Sequence, residues 1–276
     1  MTHVPNLVLN NGVEIPQLGF GVFKVDPGET ERAVSTALEA GYRHIDTAAL
    51  YRNEREVGAA IARSGLPREE LFVTTKLWNS DQGDPSGALE ASLERLGLDR
   101  VDLYLIHWPV PSAGRYVDAW RGLTKLAEEG RARAIGVSNF QPAHLQRLID
   151  ETGTVPAINQ VELHPRFPQA RLRAFHAEHG ILTEAWGPLS QGGDVLRDDR
   201  VRAVGARYGK SPAQVILRWH LQLGNVVIPK SVTPSRIAEN LDVFDVELAA
   251  EDLAVIDALA TGQRIGPDPD TFAAGV

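Results

Sequence analysis

Cysteine is absent from the 276 residues of this chain. Disulfide bonds, thiolate metal centres and a cysteine nucleophile are therefore excluded, and the chain carries no mark of a redox compartment. Positive charge is also scarce, since 28 Lys and Arg stand against 36 Asp and Glu and give a net charge of −8. A protein whose main task is binding nucleic acid needs the opposite balance. We therefore expect no nucleic-acid partner.

Long hydrophobic runs are missing as well. The most apolar stretch, 213–229, is interrupted by Arg218 and His220, and no segment reaches the roughly 20 apolar residues that cross a bilayer. The first residues lack the basic and then apolar pattern of a secretory signal. No His-Glu-x-x-His motif or comparable ligand spacing is present. We therefore expect a cytoplasmic protein with no membrane contact and no metal.

Short β-rich runs alternate with amphipathic helical patterns along the chain. Before them, alternating residues around Asn11-Gly12 predict a hairpin that acts as a lid or a plug. Strands are predicted at 19–23, 44–47, 71–75, 101–107, 134–137, 157–162, 181–185 and 226–229. Helices are predicted at 29–40, 55–64, 85–96, 117–129, 142–151, 169–179, 212–223 and 234–241, with extra helices at 199–208 and 249–259. Eight such units favour one (β/α)8 TIM barrel domain over 1–276 rather than a two-domain doubly wound protein.

Four polar side chains with complementary chemistry lie near the ends of adjacent predicted strands. Asp46 and Tyr51 follow the second strand, Lys76 the third and His107 the fourth. Taken singly, each has an ordinary structural interpretation, such as a cap, an ion pair, a packed ring or a core histidine. In a barrel they meet at one mouth, where a carboxylate keeps the ammonium charged and the ammonium lowers the pKa of the phenol. The set suits protonation of a developing alkoxide by Tyr51, with His107 orienting the same oxygen.

Aromatic and amide side chains at the same mouth predict pockets for a substrate and a flat ring. The predicted substrate wall consists of Phe23, Trp78, His107 and Trp108. Ser138, Asn139, Gln160 and Trp186 follow or end later strands. Amides beside an indole could hold a ring that bears a carboxamide, such as nicotinamide, although each residue could equally be a polar strand end or a packed Trp.

A small island of positive charge follows the eighth predicted strand. Lys230, Ser231 and Arg236 lie around the start of a predicted helix, where barrels commonly bind phosphate. A solvated helix start with an ordinary cap is the alternative interpretation. No Rossmann glycine fingerprint, P-loop or Gly-x-Ser-x-Gly elbow competes with this site.

These residues resemble the aldo-keto reductase family. Three segments carry the resemblance: Gly41-Tyr-Arg-His-Ile-Asp46-Thr-Ala with Glu54 and Gly58, then Ile135-Gly-Val-Ser-Asn-Phe140, and Ile228-Pro-Lys-Ser231 with Arg236, Glu239 and Asn240. The chain looks closest to the bacterial branch that contains 2,5-diketo-D-gluconic acid reductase. Three further segments support that branch: Gly19-Phe-Gly-Val-Phe-Lys24, Thr75-Lys-Leu-Trp-Asn79 and Glu184-Ala-Trp-Gly-Pro-Leu189.

The resemblance implies a barrel that binds NADPH without a Rossmann domain and a catalytic tetrad of Asp46, Tyr51, Lys76 and His107. It also implies that Trp186 stacks on the nicotinamide. The implied cofactor-binding set is Gly21, Val22, Phe23, Ser138, Asn139, Gln160, Trp186, Gly187, Pro188, Leu189, Gln191, Lys230, Ser231, Val232, Arg236, Glu239 and Asn240. Within that set, the cations would hold the adenosine 2′-phosphate, which favours NADPH over NADH.

The leading hypothesis is a monomeric NADPH-dependent reductase of small aldehydes, α-dicarbonyls or keto-sugars. A weakly catalytic, NADPH-binding regulatory barrel subunit is the alternative, but such a role does not require a good proton donor. A Schiff-base aldolase or isomerase using Lys76 is disfavoured, because Asp46 beside it would keep the amine protonated.

Overall fold

A parallel barrel, described for residues 4–276 in this computed structural model, forms the centre of the molecule. The expectation about a leader in the first residues therefore falls partly outside the described residues. An antiparallel hairpin of β1 (Asn6–Val8) and β2 (Glu14–Pro16) precedes the barrel. The barrel strands are β3 (Phe20–Gly21), β4 (His44–Asp46), β5 (Phe72–Leu77), β6 (Val101–Ile106), β7 (Ala132–Ser138), β8 (Ile158–Glu162), β9 (Leu182–Trp186) and β10 (Val226–Val227).

The strands lie side by side in chain order, each parallel to the next. The first and last strands close the ring, since Gly19 N–H donates to Val227 O at 2.9 Å and Val227 N–H donates to Gln17 O at 3.0 Å. The predicted (β/α)8 barrel is therefore confirmed.

The helices surround the barrel as predicted, with ends shifted by at most two residues. They are α1 (Pro27–Ala40), α2 (Glu54–Arg63), α3 (Pro85–Leu96), α4 (Tyr116–Glu128), α5 (Pro142–Thr152), α6 (Ala170–His179), α7 (Asp199–Tyr208), α8 (Pro212–Gln222), α9 (Pro234–Leu241) and α10 (Ala250–Asp257). Local sequence explains a sharp start such as that of α8, where Ser211 and Gln214 form a capping box around Pro212. The helices α7 and α10 are the two predicted extras.

Every barrel strand differs from its predicted bounds by one or two residues at one or both ends. The strand β5 continues to Leu77, so Lys76 lies inside the strand rather than after it. The strands β3 and β10 have two residues each, whereas five and four were predicted. At β10 the reason is Pro229, which has no N–H to extend the ladder. The carbonyl of Pro229 still accepts from Gly21 N–H at 3.1 Å, so the extended path continues.

The hairpin is a plug at the amino-terminal end of the barrel, not a lid over the mouth. Leu9 and Ile15 are buried against interior residues of the strands, Phe72 and Leu103 among them. The side chains of Asn10 and Asn11 donate to the carbonyls of Pro156 and Arg133, just ahead of β8 and within β7.

The hairpin turn is wider than the predicted two-residue turn. Gly12 N–H donates to Leu9 O, and Leu9 N–H donates to Val13 O. Gly12 takes a φ of 84°, which suits glycine. Within residues 4–276, every helix is too short or too polar to cross a bilayer.

Candidate active site

A buried ammonium lies at the centre of the candidate site. Adjacent parallel strands β4 and β5 carry Asp46 and Lys76 to the same end of the barrel. Lys76 Nζ donates to both carboxylate oxygens of Asp46, at 2.7 and 2.9 Å, and to Thr47 O at 2.9 Å. It lies 3.4 Å from Tyr51 Oη, which a single 3-10 turn after β4 brings over the pair. The acid, the lysine and the phenol are thus one connected group.

Burial and charge act in opposite directions on this group. Burial alone would lower the pKa of Lys76, but Asp46 and then Tyr51 raise it above its ordinary value. Burial also raises the pKa of Tyr51 to about 12, and Lys76 lowers it by a smaller amount. The lysine therefore acts on the phenol in the expected direction. The net shift is nevertheless upward, contrary to the expectation of a lowered phenol pKa, because burial outweighs the ammonium.

His107 follows β6 and faces Tyr51 and Trp78, with ring centroids 5.7 and 5.2 Å away. Burial, followed by the charge of Lys76, holds the pKa of His107 well below its usual value, so the imidazole is neutral. Its Nδ1 is buried and has no hydrogen-bond partner within residues 4–276. A neutral imidazole here can hydrogen-bond a substrate oxygen without adding charge.

The predicted substrate wall is only partly assembled as expected. Phe23 packs 5.0 Å from the ring of Tyr51 and is 45% exposed, so it borders the mouth. Trp108 is instead buried, 4.4 Å from the ring of Phe272. The carboxyl-terminal segment, residues 261–276, therefore lies against the site, which the sequence pattern did not indicate.

The predicted ring-binding residues form a second hydrogen-bonded group. Asn139 Nδ2 donates to His107 O and Ser138 Oγ, both at 3.0 Å, and Asn139 Oδ1 accepts from Trp186 Nε1 at 2.8 Å. Asn139 has a φ of 64°, a conformation that asparagine tolerates better than most residues. Gln160 Nε2 donates to Asp46 at 2.7 Å, which joins this group to the cluster of Asp46, Tyr51 and Lys76.

The segment after β9 offers unpaired polar atoms. Gly187, Ser190 and Gln191 all have φ between 52° and 61°, so this loop is wound in the left-handed region. Ser190 Oγ is buried without a partner in the described part of the chain, while Gln191 is exposed. The neighbouring Pro188 is buried and Leu189 half-buried. An unpartnered hydroxyl in a tight polar loop suits a ligand with many acceptor oxygens.

Two free cations lie near the start of α9. Lys230 and Arg236 are both exposed, and no ion pair among residues 4–276 includes either one. Ser231 Oγ accepts from Thr233 N–H at 3.1 Å ahead of the helix. Exposed cations beside a helix N-terminus are a donor set that fits a phosphate monoester.

Not every predicted cofactor residue is equally available to a ligand. Glu239 accepts a hydrogen bond from Ser211 Oγ on the neighbouring α8 capping box, and Asn240 is buried. Gln160 Nε2 donates both of its hydrogens to carboxylates, those of Asp46 and Glu184. Its Oε1 atom is therefore the one that remains to bind a ligand. Gly21 and Val22 are buried and Val232 is half-buried.

Two buried carboxyl groups near the site were missed by the sequence analysis. Glu184, on β9, is fully buried and accepts from Gln160 Nε2 at 2.9 Å. Burial, then the charge of Asp46, raises the pKa of Glu184 to about 8. Glu162, the last residue of β8, is buried and binds the carboxyl-terminal segment. A carboxylate within or at the end of a predicted barrel strand was the available signal, because a carboxylate is rarely buried without partners.

No group of three or more His, Asp or Glu side chains in residues 4–276 could hold a metal ion.

The model of the Aldo/keto reductase family matches residues 17–261. The chain belongs to this family. An aldo-keto reductase of Mycolicibacterium smegmatis is 58% identical over 97% of this chain and 98% of its own length. Methylglyoxal reductase DkgA of Escherichia coli is 55% identical over 96% of both chains. A crystal structure of a Gox0644 mutant in complex with NADPH superposes with a TM-score of 0.94 at 45% identity, covering 98% of this chain and 99% of the other.

The family resemblance seen in the sequence is thus confirmed for an aldo-keto reductase barrel. The matched residues include Asp46, Tyr51, Lys76, the Asn139 group and the cations near α9, and end at the first residue of the carboxyl-terminal segment.

Proposed function

We propose that this aldo-keto reductase reduces small carbonyl compounds to alcohols with NADPH, and that Tyr51 is the proton donor. One observation carries the proposal: the Tyr51 hydroxyl lies 3.4 Å from Lys76 Nζ, which Asp46 holds, beside a neutral His107. A phenol that remains protonated beside a fixed ammonium is suited to giving its proton to an oxygen that becomes negative.

In this proposal each residue of the tetrad has one task. His107 hydrogen-bonds the carbonyl oxygen and orients it toward Tyr51, whose hydroxyl proton moves to that oxygen as it becomes an alkoxide. Lys76 stabilises the phenolate that is left behind, and Asp46 keeps Lys76 charged and in place. When bound, NADPH supplies the hydride that adds to the carbonyl carbon.

The residues around the mouth fit NADPH. Trp186 would stack on the nicotinamide, held in orientation by Asn139, and Ser138, Asn139 and Gln160 would contact the carboxamide. The buried Ser190 hydroxyl lies in the loop that would take the pyrophosphate. Lys230 and Arg236 would bind the 2′-phosphate of NADPH. NADH has no such phosphate, so it could not form these charge-assisted hydrogen bonds.

For the substrate class we propose α-dicarbonyls and small aldehydes. The relatives named methylglyoxal reductase are 55% identical to this chain over nearly its whole length. The aromatic walls around Tyr51, formed by Phe23 and Trp78, suit small and partly apolar carbonyl compounds.

The experiment that tests the reductase function measures NADPH consumption with methylglyoxal, phenylglyoxal and nitrobenzaldehyde. We expect Tyr51→Phe to lower kcat by about 100-fold or more, since a positioned proton donor contributes on the order of 10²–10⁴, while NADPH binding is retained. Tyr104→Phe is the matched control, because its buried hydroxyl has no partner in the described chain. Tight NADPH binding without turnover of any carbonyl would instead favour a regulatory barrel.

A second experiment tests the cofactor preference. Arg236→Ala and Lys230→Ala should each raise KM for NADPH by about tenfold, the loss expected for one charge-assisted contact to phosphate, and leave KM for NADH unchanged. Arg171→Ala is the control, since Arg171 is exposed on a different helix. Equal efficiency of the unaltered enzyme with NADH and NADPH would contradict this assignment.

A further inference from the structure

The carboxyl-terminal segment is attached to the barrel mouth by one buried carboxylate. Glu162 accepts two consecutive backbone hydrogen bonds, from Ile265 N–H at 2.5 Å and from Gly266 N–H at 2.7 Å. His164 Nε2 lies 3.0 Å from the same carboxylate and completes its partners. The Glu162 side chain has no exposed surface. Its charge is therefore stabilised by hydrogen-bond donors that include two backbone amides from the far end of the chain.

The bonds to Glu162 bring the backbone against Trp186. A Cβ atom on Gly266 would lie 2.5 Å from Trp186 Cη2 and 2.9 Å from Glu162 Oε2. Only glycine fits at this distance, so the backbone itself contacts the edge of the indole. Trp186 Nε1 is also hydrogen-bonded to Asn139. The indole therefore contacts both Asn139 and the carboxyl-terminal segment.

Beyond Gly266 the segment reaches both tryptophans of the substrate wall. Phe272 packs on Trp108 with ring centroids 4.4 Å apart. Asn79 Nδ2 donates to Ala274 O at 2.8 Å, and a Cβ on Gly275 would lie 2.6 Å from Trp78 Nε1. The one segment therefore contacts Trp186, Trp108 and Trp78 in succession.

We propose that Glu162 is a positioning residue for substrate binding. It holds residues 261–276 across the mouth and so fixes Trp78 and Trp108 of the substrate wall, together with Trp186 beside them. Its hydrogen bonds join the end of β8, inside the barrel, to a segment with few other polar anchors in the described chain, namely Thr261 and Gly262 on Arg166 O, Asn79 on Ala274 O and the ion pair of His144 with Asp270. Hydrogen bonds from His164, Ile265 and Gly266 also outweigh burial and lower the pKa of Glu162, so the carboxylate is charged at neutral pH.

The first test needs no substrate or cofactor. In Glu162→Gln the amide keeps one acceptor oxygen but turns an N–H₂ group toward a backbone donor. We expect hydrogen exchange at Ile265 and Gly266 in the ligand-free protein to accelerate about tenfold or more, the loss expected for a hydrogen bond to a charged group. Glu178→Gln makes the same charge change on the exposed face of α6 and should leave both amides protected. Unchanged protection in Glu162→Gln would overturn the proposal.

The second test separates positioning from general stability, and it rests on the proposed reductase function. Glu162→Gln should raise KM for the carbonyl about tenfold and change kcat by less than about threefold, since the tetrad is untouched. Gly266→Ala leaves the carboxylate intact but pushes the segment off Trp186, so it should reproduce the same change in KM for the carbonyl. Because Trp186 would stack on the nicotinamide, KM for NADPH should rise in this variant as well. A fall in kcat at unchanged KM in both variants would contradict the proposal. Failure of all turnover would count against the reductase function, while the exchange result would still decide the role of Glu162.

Discussion

At the scale of single residues, the chemistry of the site follows from burial as much as from charge. Lys76 has no exposed surface and keeps its charge only because Asp46 lies against it at 2.7 Å. The hydroxyl of Tyr51 lies 3.4 Å from that charge. Burial makes it a weak acid, so it remains protonated at neutral pH. In the proposed reaction it gives up its proton only to a stronger base, the developing alkoxide.

The first prediction concerns the pH dependence of carbonyl reduction. The proton-donating form of Tyr51 exists below its pKa, which burial raises to about 12, so its activity is lost only as pH rises through that value. The lowered pKa of His107 keeps this ring neutral as well. We expect no loss of kcat centred on Tyr51 below about pH 10 in saturating NADPH, as measured by a pH-rate profile. Glu184, whose pKa burial raises to about 8, also titrates in this range, so the profile is measured in Glu184→Gln as well. A decline centred near pH 8 that persists in Glu184→Gln would contradict Tyr51 as the donor in this environment.

How much of the site the sequence predicts depends on how far apart its residues lie in the chain. Asp46, Lys76 and His107 were predictable, because parallel strands carry their ends to one mouth whatever the side-chain details. The contact of Glu162 with Gly266 was not predictable. It joins residues 104 positions apart in the chain, and no periodic pattern in the sequence indicates it. The net rise in the pKa of Tyr51 was also missed, because burial is a property of the packed structure.

At the scale of secondary-structure elements, the hairpin β1–β2 has a structural task. It was predicted from the Asn11-Gly12 pair, but sequence alone did not decide between a lid and a plug. The decision comes from packing: Ile15 is fully buried on the barrel interior, while Val8 on the partner strand is 65% exposed. The two faces of this short hairpin therefore differ sharply in their expected contribution to stability.

The second prediction compares these two faces. Ile15→Ala should lower the free energy of unfolding by about 2–5 kcal/mol, the range for removing a large aliphatic side chain from a core. Val8→Ala should change it by less than about 0.5 kcal/mol. Denaturant unfolding measures both, and kcat of the folded Ile15 variant should be unchanged. Similar effects for the two variants would show that the hairpin does not plug the barrel.

At the scale of the whole molecule, closure of the barrel depends on a narrow seam. The strands β3 and β10 are short, and Gln17 supplements their pairing: its Nε2 donates to Leu221 O at 2.9 Å and to Asn225 O at 3.2 Å. Leu221 lies in the last turn of α8, and Asn225 lies just before β10. One side chain thus joins the first unit of the barrel to the last.

The third prediction addresses this seam. Gln17→Ala removes both hydrogen bonds and should lower the free energy of unfolding by about 1–3 kcal/mol. Because the seam closes one continuous core, circular dichroism and tryptophan fluorescence should still report a single coincident transition. Separate transitions by the two probes would mean that the two halves of the barrel unfold independently. Gln146→Ala, at an exposed position on α5, is a suitable control.

The hairpin plugs one end of the barrel, and the carboxyl-terminal segment bonded to Glu162 lies at the other. The two ends therefore differ in their expected tolerance to substitution. Under the proposed function, substitutions in the carboxyl-terminal segment and the neighbouring loops should alter which carbonyl compounds bind at the mouth. The buried side of the hairpin and the barrel interior that it fills should instead determine stability. Substitutions near the mouth should therefore be able to change the preferred carbonyl compound at little cost in the stability of the barrel. The same partition tells a protein engineer where to randomise and where to leave the sequence alone.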